Sequence, residues 1–285
     1  MKKRNLLRVA AVQAAPVFLD REGSTARAID YIEQAGQRKL DLIVFPEGFI
    51  PAHPVWYHFT PATSREALNM AARLFENSVE IPGPMTDGLC AAARAAGVNV
   101  VIGVCERRPN TSGTMYNTQL FIDRNGQIVG KHQKLMPTVG ERLVHTGGWG
   151  DTLHAVDFGP VKVSGLICGE NSNPLAIFSL STESAQVHAA SWPNHFSKNE
   201  HAMADVVLMA SRSLAYKANC FVINACGTVS EQMIEEIATS DSDREFLRAP
   251  QSSGGSSIID ANAMVIAGPM PGDQEGFLEA ELDLG

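Results

Sequence analysis

The most informative segment of the sequence, which predicts a strand and the turn after it, is Val161-Lys-Val-Ser-Gly-Leu-Ile-Cys-Gly-Glu-Asn-Ser-Asn-Pro174. Its first half, residues 161–167, is a short apolar run bounded by Gly and polar residues, which is typical of a buried strand. Cys168 follows this run directly, and a glycine and polar residues come after it. A thiol on such a tight strand-to-helix turn is a candidate nucleophile. Considered alone, a free cysteine that packs in the core as a small hydrophobe is the alternative interpretation.

Strands and helices alternate through most of the chain. Before Cys168, predicted strands cover residues 7–13, 40–45 and 98–106, and predicted helices cover 21–38, 64–77 and 87–96. Thr86 is expected to cap the third of these helices, and Gly97 is expected to end it. After Cys168, we expect a helix over 175–184, a strand over 186–190, a helix over 202–219 and strands over 220–225 and 276–284. This alternation predicts an α/β fold.

Two hairpins resemble each other. Residues 114–123 and 127–133 form the first, and residues 256–260 and 264–268 form the second. Each turns at an Asp-x-Asn sequence, beginning at Asp123 and Asp260, so either the α/β half is duplicated or two ordinary hairpins look alike. The polar stretch 232–253 is predicted to be a surface helix and loop. Because no linker interrupts the chain, we expect a single domain over residues 1–285.

Composition limits the possible functions. The 285 residues are 45% hydrophobic and carry a net charge of −8, which argues against a nucleic-acid partner. The five cysteines contain no Cys-x-x-Cys pair, so we expect neither disulfides nor a zinc site, and reduced thiols favour the cytoplasm. No histidine spacing suggests a metal, and neither a metal nor a cofactor is expected. Since no apolar run approaches the length of a membrane span, no membrane association is expected.

Two further segments carry candidate reactive groups. Phe45-Pro-Glu-Gly48 puts Glu47 just past a buried strand, and active sites of α/β folds lie at the carboxyl ends of strands. Lys131-His-Gln-Lys-Leu-Met-Pro-Thr138 puts Lys134 at the end of the first hairpin. Taken singly, Glu47 could be a solvated loop acid or a helix cap, and Lys134 could be an edge-strand lysine that blocks aggregation.

A thiol, a carboxylate and an ammonium together allow chemistry that none allows alone. A thiol with a pKa of about 8.5 is mostly protonated at neutral pH. A neighbouring carboxylate accepts its proton, and a neighbouring ammonium stabilises the thiolate and the charge that develops on a substrate. His188 and His195 are weaker candidates for the base, since neither has an obvious placement beside Cys168.

These three motifs, in this order, resemble the nitrilase, or carbon–nitrogen hydrolase, superfamily. The resemblance covers essentially the whole chain and includes these further segments: 9–13, 116–118, 141–142, 191–193 and 254–256. It implies a four-layer α-β-β-α sandwich with a Glu-Lys-Cys triad. In that triad Glu47 would be the general base, Lys134 the stabiliser of the tetrahedral species and Cys168 the nucleophile.

The resemblance also implies two supporting residues. Glu141 matches a second family glutamate that positions the lysine or the substrate, and the backbone N–H of Gly169 would contribute to the oxyanion hole. Cys168-Gly-Glu-Asn171 is similar to the Cys-Trp-Glu-Asn pattern of true nitrilases, although Gly169 stands where they usually carry Trp. The implied reaction is hydrolysis of a nitrile to the carboxylic acid and ammonia.

Alternatives to that reaction remain open. An amidase or carbamoyl hydrolase would use the same triad, and a catalytically idle binding protein of the same fold would need none of it. His53, Trp56 and Tyr57 closely follow Glu47 and, with Trp192, are candidates for contact with a small nitrile or amide substrate. Packing of a surface loop is the alternative role for these aromatic residues. The resemblance also implies a homodimer or higher homo-oligomer, with the helix at 202–219 as a plausible interface.

Overall fold

Two six-stranded sheets form the centre of the protein in a computed structural model that describes residues 5–196, 198 and 201–285. The strands are β1 Leu6–Gln13, β2 Leu42–Val44, β3 Asn99–Arg107, β4 Met115–Ile122, β5 Ile128–Gln133, β6 Val156–Asp157, β7 Lys162–Ile167, β8 Val187–Trp192, β9 Phe221–Cys226, β10 Ser257–Ile259, β11 Val265–Ala267 and β12 Gly276–Asp283. All the predicted strands are therefore present, with ends that differ by a few residues at most.

The two sheets have matching strand orders. The first runs β12-β1-β2-β3-β4-β5, and the second runs β6-β7-β8-β9-β10-β11. In the first sheet, strands β1 to β3 are parallel, and the hairpin β4–β5 adds to β3 in antiparallel pairing. In the second sheet, strands β7 to β9 are parallel, and the hairpin β10–β11 adds to β9 in the same way. An antiparallel strand, β12 or β6, borders the other edge. This correspondence supports the duplicated half that the two similar hairpins suggested.

Seven helices lie within the described residues. They are α1 Arg21–Gln37, α2 Arg65–Glu76, α3 Pro84–Ala96, α4 Pro174–Ser181, α5 Met203–Ala218, α6 Glu231–Ile237 and α7 Asp241–Arg248. None of them is long and apolar enough to cross a membrane. Four short 3-10 turns connect other elements, namely Val55–His58, Val139–Leu143, Gly150–Thr152 and Cys168–Ser172.

Both faces of each sheet carry apolar side chains, and this arrangement determines the order of the layers. One cluster, including Val9, Val44 and Ile223, fills the space between the two sheets. Helices α1 and α3 pack on the outer face of the first sheet, and α4 and α5 pack on the outer face of the second. Because each sheet is covered on both faces, its central parallel strands consist almost entirely of buried residues. The predicted four-layer α-β-β-α sandwich is confirmed.

Local details correct three of the expectations. Helix α3 begins at Pro84, so Gly83 is its cap, and Thr86 lies inside the first turn with its hydroxyl accepting from the Gly83 N–H at 2.9 Å. The helix expected over 175–184 ends at Ser181. The polar stretch 232–253 contains two helices, α6 and α7, which are anchored by buried Met233 and Leu247. Isolated apolar residues at helical spacing were sufficient to anchor both elements, although the segment is polar on average.

Candidate active site

Glu47 enters the site on a loop that both sheets hold. The loop leaves β2 and crosses β3 at Gly103, where an added Cβ would lie 2.3 Å from the carbonyl oxygen of Pro46. Only glycine permits this approach. On the other side, the Glu47 N–H donates to the carbonyl of Trp192 at 3.0 Å, and the Ser191 hydroxyl donates to the carbonyl of Phe45 at 2.9 Å. The carboxylate of Glu47 is therefore fixed at the carboxyl ends of β2 and β8.

Cys168 lies at the carboxyl end of β7, where the chain turns sharply. Its φ of +53° is in the left-handed region, which non-glycine residues rarely adopt and which is common at functional sites. The side-chain amide of Asn171 donates to the carbonyl of Cys168 at 2.9 Å. Cys168 is half-buried as a residue, and its neighbour Gly169 is exposed. The turn between strand and helix that the sequence predicted is present.

Glu170 joins the turn that carries Cys168 to the strand end that carries Lys134. Its Oε2 accepts from the Ile167 N–H at 3.1 Å, and its Oε1 accepts from the Leu135 N–H at 2.8 Å. His132 Nε2 lies 3.0 Å from the same carboxylate. These contacts fix two segments that are far apart in sequence relative to each other.

Lys134 is almost fully buried, with 1% of its surface exposed, and its ammonium bridges two carboxylates. Nζ donates to Glu47 Oε1 at 2.9 Å and to Glu141 Oε2 at 2.7 Å, and Thr138 Oγ1 lies at 3.4 Å. A buried ammonium is strongly disfavoured unless it is paired and hydrogen-bonded, and the two carboxylates provide that pairing, while the long contact with Thr138 leaves the third N–H available to another acceptor.

Glu141 is held by a second set of donors. The Thr138 N–H donates to its Oε2 at 2.9 Å, and Asn117 Nδ2 donates both to Glu141 Oε1 at 2.6 Å and to Glu47 Oε1 at 2.7 Å. His145 Nδ1 is 3.4 Å from Glu141 Oε1. The sequence analysis gave no role to Asn117 or His145. The polar run at 117–119 inside an otherwise apolar strand was the signal that pointed to Asn117.

The two carboxylates have opposite proton affinities. Burial raises the pKa of Glu47, and the negative charge of Glu141 adds to the rise, while Lys134 opposes it. Burial also acts to raise the pKa of Glu141, but the nearby His145 ring and the charge of Lys134 hold it far below its usual range. For Lys134 burial lowers the pKa, but Glu47, Cys168 and Glu141 outweigh it and raise it overall. The pKa directions therefore favour a charged Glu141 and a charged Lys134, and they make Glu47 the more readily protonated of the two carboxylates.

The Cys168 thiol is protonated in the resting protein. Burial raises the pKa of this thiol, the neighbouring charge of Glu47 raises it further, and Lys134 only partly opposes the rise. The ammonium of Lys134 does not lower the pKa of this thiol overall, because burial and the neighbouring carboxylate charges outweigh it. The thiol needs a base at the moment it reacts.

One carboxylate oxygen is free to be that base. Oε2 of Glu47 is buried and has no hydrogen-bond partner within the described residues, whereas Oε1 receives both Lys134 and Asn117. Buried polar atoms nearly always have a partner, so an oxygen left free in a site is available to a substrate, a water molecule or a proton.

The two histidines considered as alternative bases occupy other positions. Both ring nitrogens of His188 are engaged, since Ser164 Oγ lies 2.8 Å from Nδ1 and Asn171 Oδ1 lies 2.9 Å from Nε2. His188 therefore has no nitrogen left for a thiol. His195 packs against the ring of His58, with 5.4 Å between the ring centroids.

The four candidate substrate contacts divide into two groups. His53 faces the site, with Nδ1 3.4 Å from Glu47 Oε1, and Tyr57 is half-buried. Trp56 is fully buried in an apolar cluster and packs edge-on against Phe18. Trp192 belongs to the cluster on which Cys168 packs, but its Nε1 donates to Asn224 at 2.9 Å, so it offers only apolar surface.

Glu47, His53 and Glu141 also bring possible metal-ligating atoms within 4.8 Å of one another. The ammonium of Lys134 already lies between the two carboxylates and neutralises the charge that would attract a cation. A metal ion in this position would have to displace the lysine, so the arrangement favours acid–base chemistry.

Comparison with known proteins identifies the family to which this fold and this site belong. The chain matches the carbon–nitrogen hydrolase family over residues 8–285, and it belongs to that family. It is therefore a hydrolase that acts on carbon–nitrogen bonds, of the nitrilase type.

Several curated relatives carry the name nitrilase. "Nitrilase 2" from an unknown prokaryotic organism is 38% identical over 264 residues, which are 92% of this chain and 79% of the relative. An aliphatic nitrilase of Rhodococcus rhodochrous is 32% identical and covers 98% of this chain and 76% of its own length. An arylacetone-specific nitrilase of Alcaligenes faecalis is 31% identical over 100% of this chain and 79% of its own length.

Solved structures show the same fold at lower identity. A carbon–nitrogen hydrolase from Helicobacter pylori G27 superposes with a TM-score of 0.74 at 16% identity, over 99% of this chain and 90% of its own. A double mutant of the amidase from Nesterenkonia sp. AN1, in complex with acrylamide, gives a TM-score of 0.70 at 15% identity, over 99% and 92% of the two chains. At these identities the likeness establishes the fold.

Proposed function

We propose that the protein hydrolyses an organic nitrile to the carboxylic acid and ammonia, with Cys168 as nucleophile, Glu47 as general base and Lys134 as stabiliser of the developing charge. One observation carries the proposal. A thiol whose pKa is raised shares a buried site with a carboxylate whose Oε2 has no partner among the described residues and whose pKa is raised, next to a fully buried ammonium. This combination supplies the base that the thiol lacks at rest.

In the first half of the reaction, the Cys168 sulfur forms a bond to the nitrile carbon as Glu47 takes the thiol proton. One π bond of the C≡N group breaks, and the proton passes from Glu47 to the nitrogen, which gives a neutral thioimidate. Negative charge develops on the nitrogen during attack. The Lys134 ammonium and the Gly169 N–H are the donors that we assign to it, since preorganised donors stabilise such charge most.

In the second half, Glu47 deprotonates a water molecule that adds to the thioimidate carbon. The tetrahedral species gains a proton on nitrogen and its C–N bond breaks. Ammonia departs, and a thioester remains on Cys168. A second water releases the acid and restores the thiol. If the tetrahedral species instead expels the thiolate, the product is the amide. The acid-to-amide ratio therefore measures how efficiently the leaving nitrogen is protonated.

Glu141 has a separate role in this proposal. It remains ionised, because its pKa is held low, and it accepts hydrogen bonds from Lys134, Asn117 and the backbone of Thr138. It therefore positions the ammonium without competing for the proton that Glu47 carries. Two carboxylates with environments that separate their pKa values are a common means of dividing acid–base roles.

Gly169 leaves open space beside the nucleophile. An added Cβ at this position would meet only Thr138 Cγ2 among the described atoms, at an ordinary contact distance of 3.9 Å. The glycine is thus not required by the packing around it. We propose that it widens the pocket next to Cys168 for a substituent on the substrate.

Amide hydrolysis is the second candidate, because the same three groups would attack an amide carbonyl. The amidase from Nesterenkonia sp. AN1 shares the fold, but the relatives at 31–38% identity are named nitrilases. Ammonia release from matched nitrile–amide pairs separates the two functions. We expect turnover of nitriles to exceed that of the matching amides, and the reverse order would assign the protein as an amidase.

We also propose that the protein forms a homodimer through helices α4 and α5. Four large apolar side chains are exposed on these two contacting helices: Leu175, Phe178, Met209 and Tyr216. Met209 and Tyr216 are seven residues apart and share a face of α5. A cytoplasmic location is part of the same proposal, supported by five cysteines that are all free.

A further inference from the structure

A chain of three histidines extends from Glu47 and leaves several ring nitrogens without partners. His53 Nδ1 lies 3.4 Å from Glu47 Oε1 but forms no hydrogen bond with it or with any other described residue. His58 follows on the next turn, and its ring is 5.4 Å from that of His195. His195 is fully buried, and neither of its nitrogens has a partner in the described part of the chain; the same holds for Nδ1 of His58.

All three imidazoles are neutral at physiological pH. Burial lowers the pKa of His53 to about 3 and that of His58 to about 4, and it also lowers the pKa of His195 well below its usual value. A neutral imidazole has one N–H donor and one lone-pair acceptor. An unpaired polar atom that is buried destabilises the folded protein, because it has lost its hydrogen bonds to water. The cluster is therefore complete only when a group with its own donors and acceptors occupies it.

Aromatic rings surround the cluster, and the nearby charges are compensated. Phe59 and Phe246 lie 5.3 Å and 6.0 Å from the His195 ring, measured between centroids. Lys198 Nζ lies 5.9 Å from the Phe59 ring, but it pairs with Asp243 Oδ1 at 2.6 Å. Phe246 also lines a surface groove of about 420 Å³, and His58 is half-buried, so the cluster lies near the protein surface.

From this arrangement we propose that His53, His58 and His195 form a subsite for a neutral hydrogen-bonding group, a hydroxyl or an amide, at the end of the substrate remote from its nitrile carbon. The inference rests on the proposed function, since the remote end is defined by attack at Cys168. It names the substrate class as polar, uncharged nitriles. Neutral imidazoles give no compensating charge to a carboxylate or an ammonium, and an alkyl group would leave the nitrogens unpaired.

Matched nitriles test the subsite directly. The pairs are 4-hydroxyphenylacetonitrile with 4-methylphenylacetonitrile, and 5-hydroxypentanenitrile with hexanenitrile, which differ in a hydroxyl against a methyl group. We expect kcat/KM for the hydroxyl member of at least one pair to be about tenfold higher or more, as for one satisfied hydrogen bond. An apolar or water-filled pocket would favour the methyl member of both pairs, and that result overturns the subsite.

Two variants assign the preference to the cluster. His195→Phe and His58→Phe each remove unpaired nitrogens and keep a flat ring, so either should reduce the hydroxyl-to-methyl ratio to near one. His154→Phe is the matched control, because His154 is exposed and pairs with Glu183, and it should keep the wild-type ratio. An unchanged or higher melting temperature excludes misfolding. A preference that survives in both cluster variants contradicts the assignment.

Binding separates failure of this inference from failure of the proposed function. The same pairs are titrated by calorimetry into Cys168→Ala protein, which cannot turn them over. A hydroxyl preference in binding without turnover of any nitrile by the wild type would count against the nitrilase function and support the subsite. Turnover with no hydroxyl preference in either assay would count against the subsite alone.

Discussion

At the scale of single residues, one lysine bridges two glutamates that differ in proton affinity. Glu47 and Glu141 both accept hydrogen bonds from Lys134 and Asn117, yet only Glu47 has an oxygen without a described partner. Their pKa values shift in opposite directions because His145 and the charge of Lys134 outweigh burial at Glu141, whereas burial prevails at Glu47. The difference in environment, and not in residue type, makes Glu47 the carboxylate that we propose as the base.

Replacement of the base tests this division. Glu47→Gln keeps the volume and one acceptor oxygen but cannot take up the thiol proton, so kcat should fall by about 10²- to 10⁴-fold. Ammonia release from a good nitrile substrate measures the loss. Glu183→Gln, on the surface beside His154, is the control and should leave kcat unchanged. A loss smaller than tenfold for Glu47→Gln would assign the base to another group.

The pH dependence tests the coupling between the two glutamates. Glu47 must be deprotonated to act as a base, so kcat/KM should fall as the pH drops through its pKa, which lies above the usual 4.5. The charge of Glu141 contributes to that rise. In Glu141→Gln the acid limb of the kcat/KM profile should therefore move to lower pH, while kcat itself falls because Lys134 loses a partner. An acid limb that stays in place or moves to higher pH would contradict the coupling.

At the scale of elements, Glu170 fixes the turn after β7 to the end of β5. Glu170→Ala removes the acceptors for the Ile167 and Leu135 N–H groups and lets Lys134 shift relative to Cys168. We expect kcat to fall about tenfold or more and the acid-to-amide ratio to fall, because protonation of the leaving nitrogen depends on that alignment. Glu170→Gln keeps one acceptor and should lose less. A lower melting temperature with an unchanged product ratio would indicate a structural role only.

Gly103 fixes the loop of Glu47 against β3. In Gly103→Ala the new methyl group would lie 2.3 Å from the Pro46 carbonyl oxygen, so the loop must move. Overpacking of this kind costs about 1–3 kcal/mol, and we expect both a lower melting temperature and a lower kcat. Gly113→Ala is the matched control, since nothing described lies within 4 Å of its added Cβ. Equal effects in both variants would show that the close approach is unimportant.

The sequence predicts elements well and contacts between elements less well. Apolar runs that end in Gly, Pro or Asn identified every strand of the two sheets except the two-residue β6, since hydrophobic periodicity is a local signal. The placements of Glu47, Lys134 and Cys168 at strand ends followed from the α/β rule. The contacts of Asn117 and His145 with Glu141 depend on strand pairing and on a 3-10 turn, which are not local signals.

At the scale of the whole molecule, the exposed apolar face of α4 and α5 tests the assembly. Tyr216 is 74% exposed and Phe178 is 70% exposed, and both should become buried in a homodimer. The wild type should sediment as a dimer, and the double variant Phe178→Glu with Tyr216→Glu should sediment as a monomer. Leu68→Glu on α2, at a residue that is 59% exposed, should remain dimeric. A monomeric wild type, or a double variant that stays dimeric, would contradict this interface.

Every step of the proposed reaction depends on covalent attack by Cys168. Ammonia release from a nitrile by Cys168→Ala protein, compared with Cys90→Ala, is the most direct test, since Cys90 is a second thiol that is not fully buried. With the fold verified by an unchanged melting transition, Cys168→Ala should release no ammonia above the uncatalysed rate, while Cys90→Ala should match the wild type. Ammonia release that persists in the Cys168→Ala protein would contradict the mechanism.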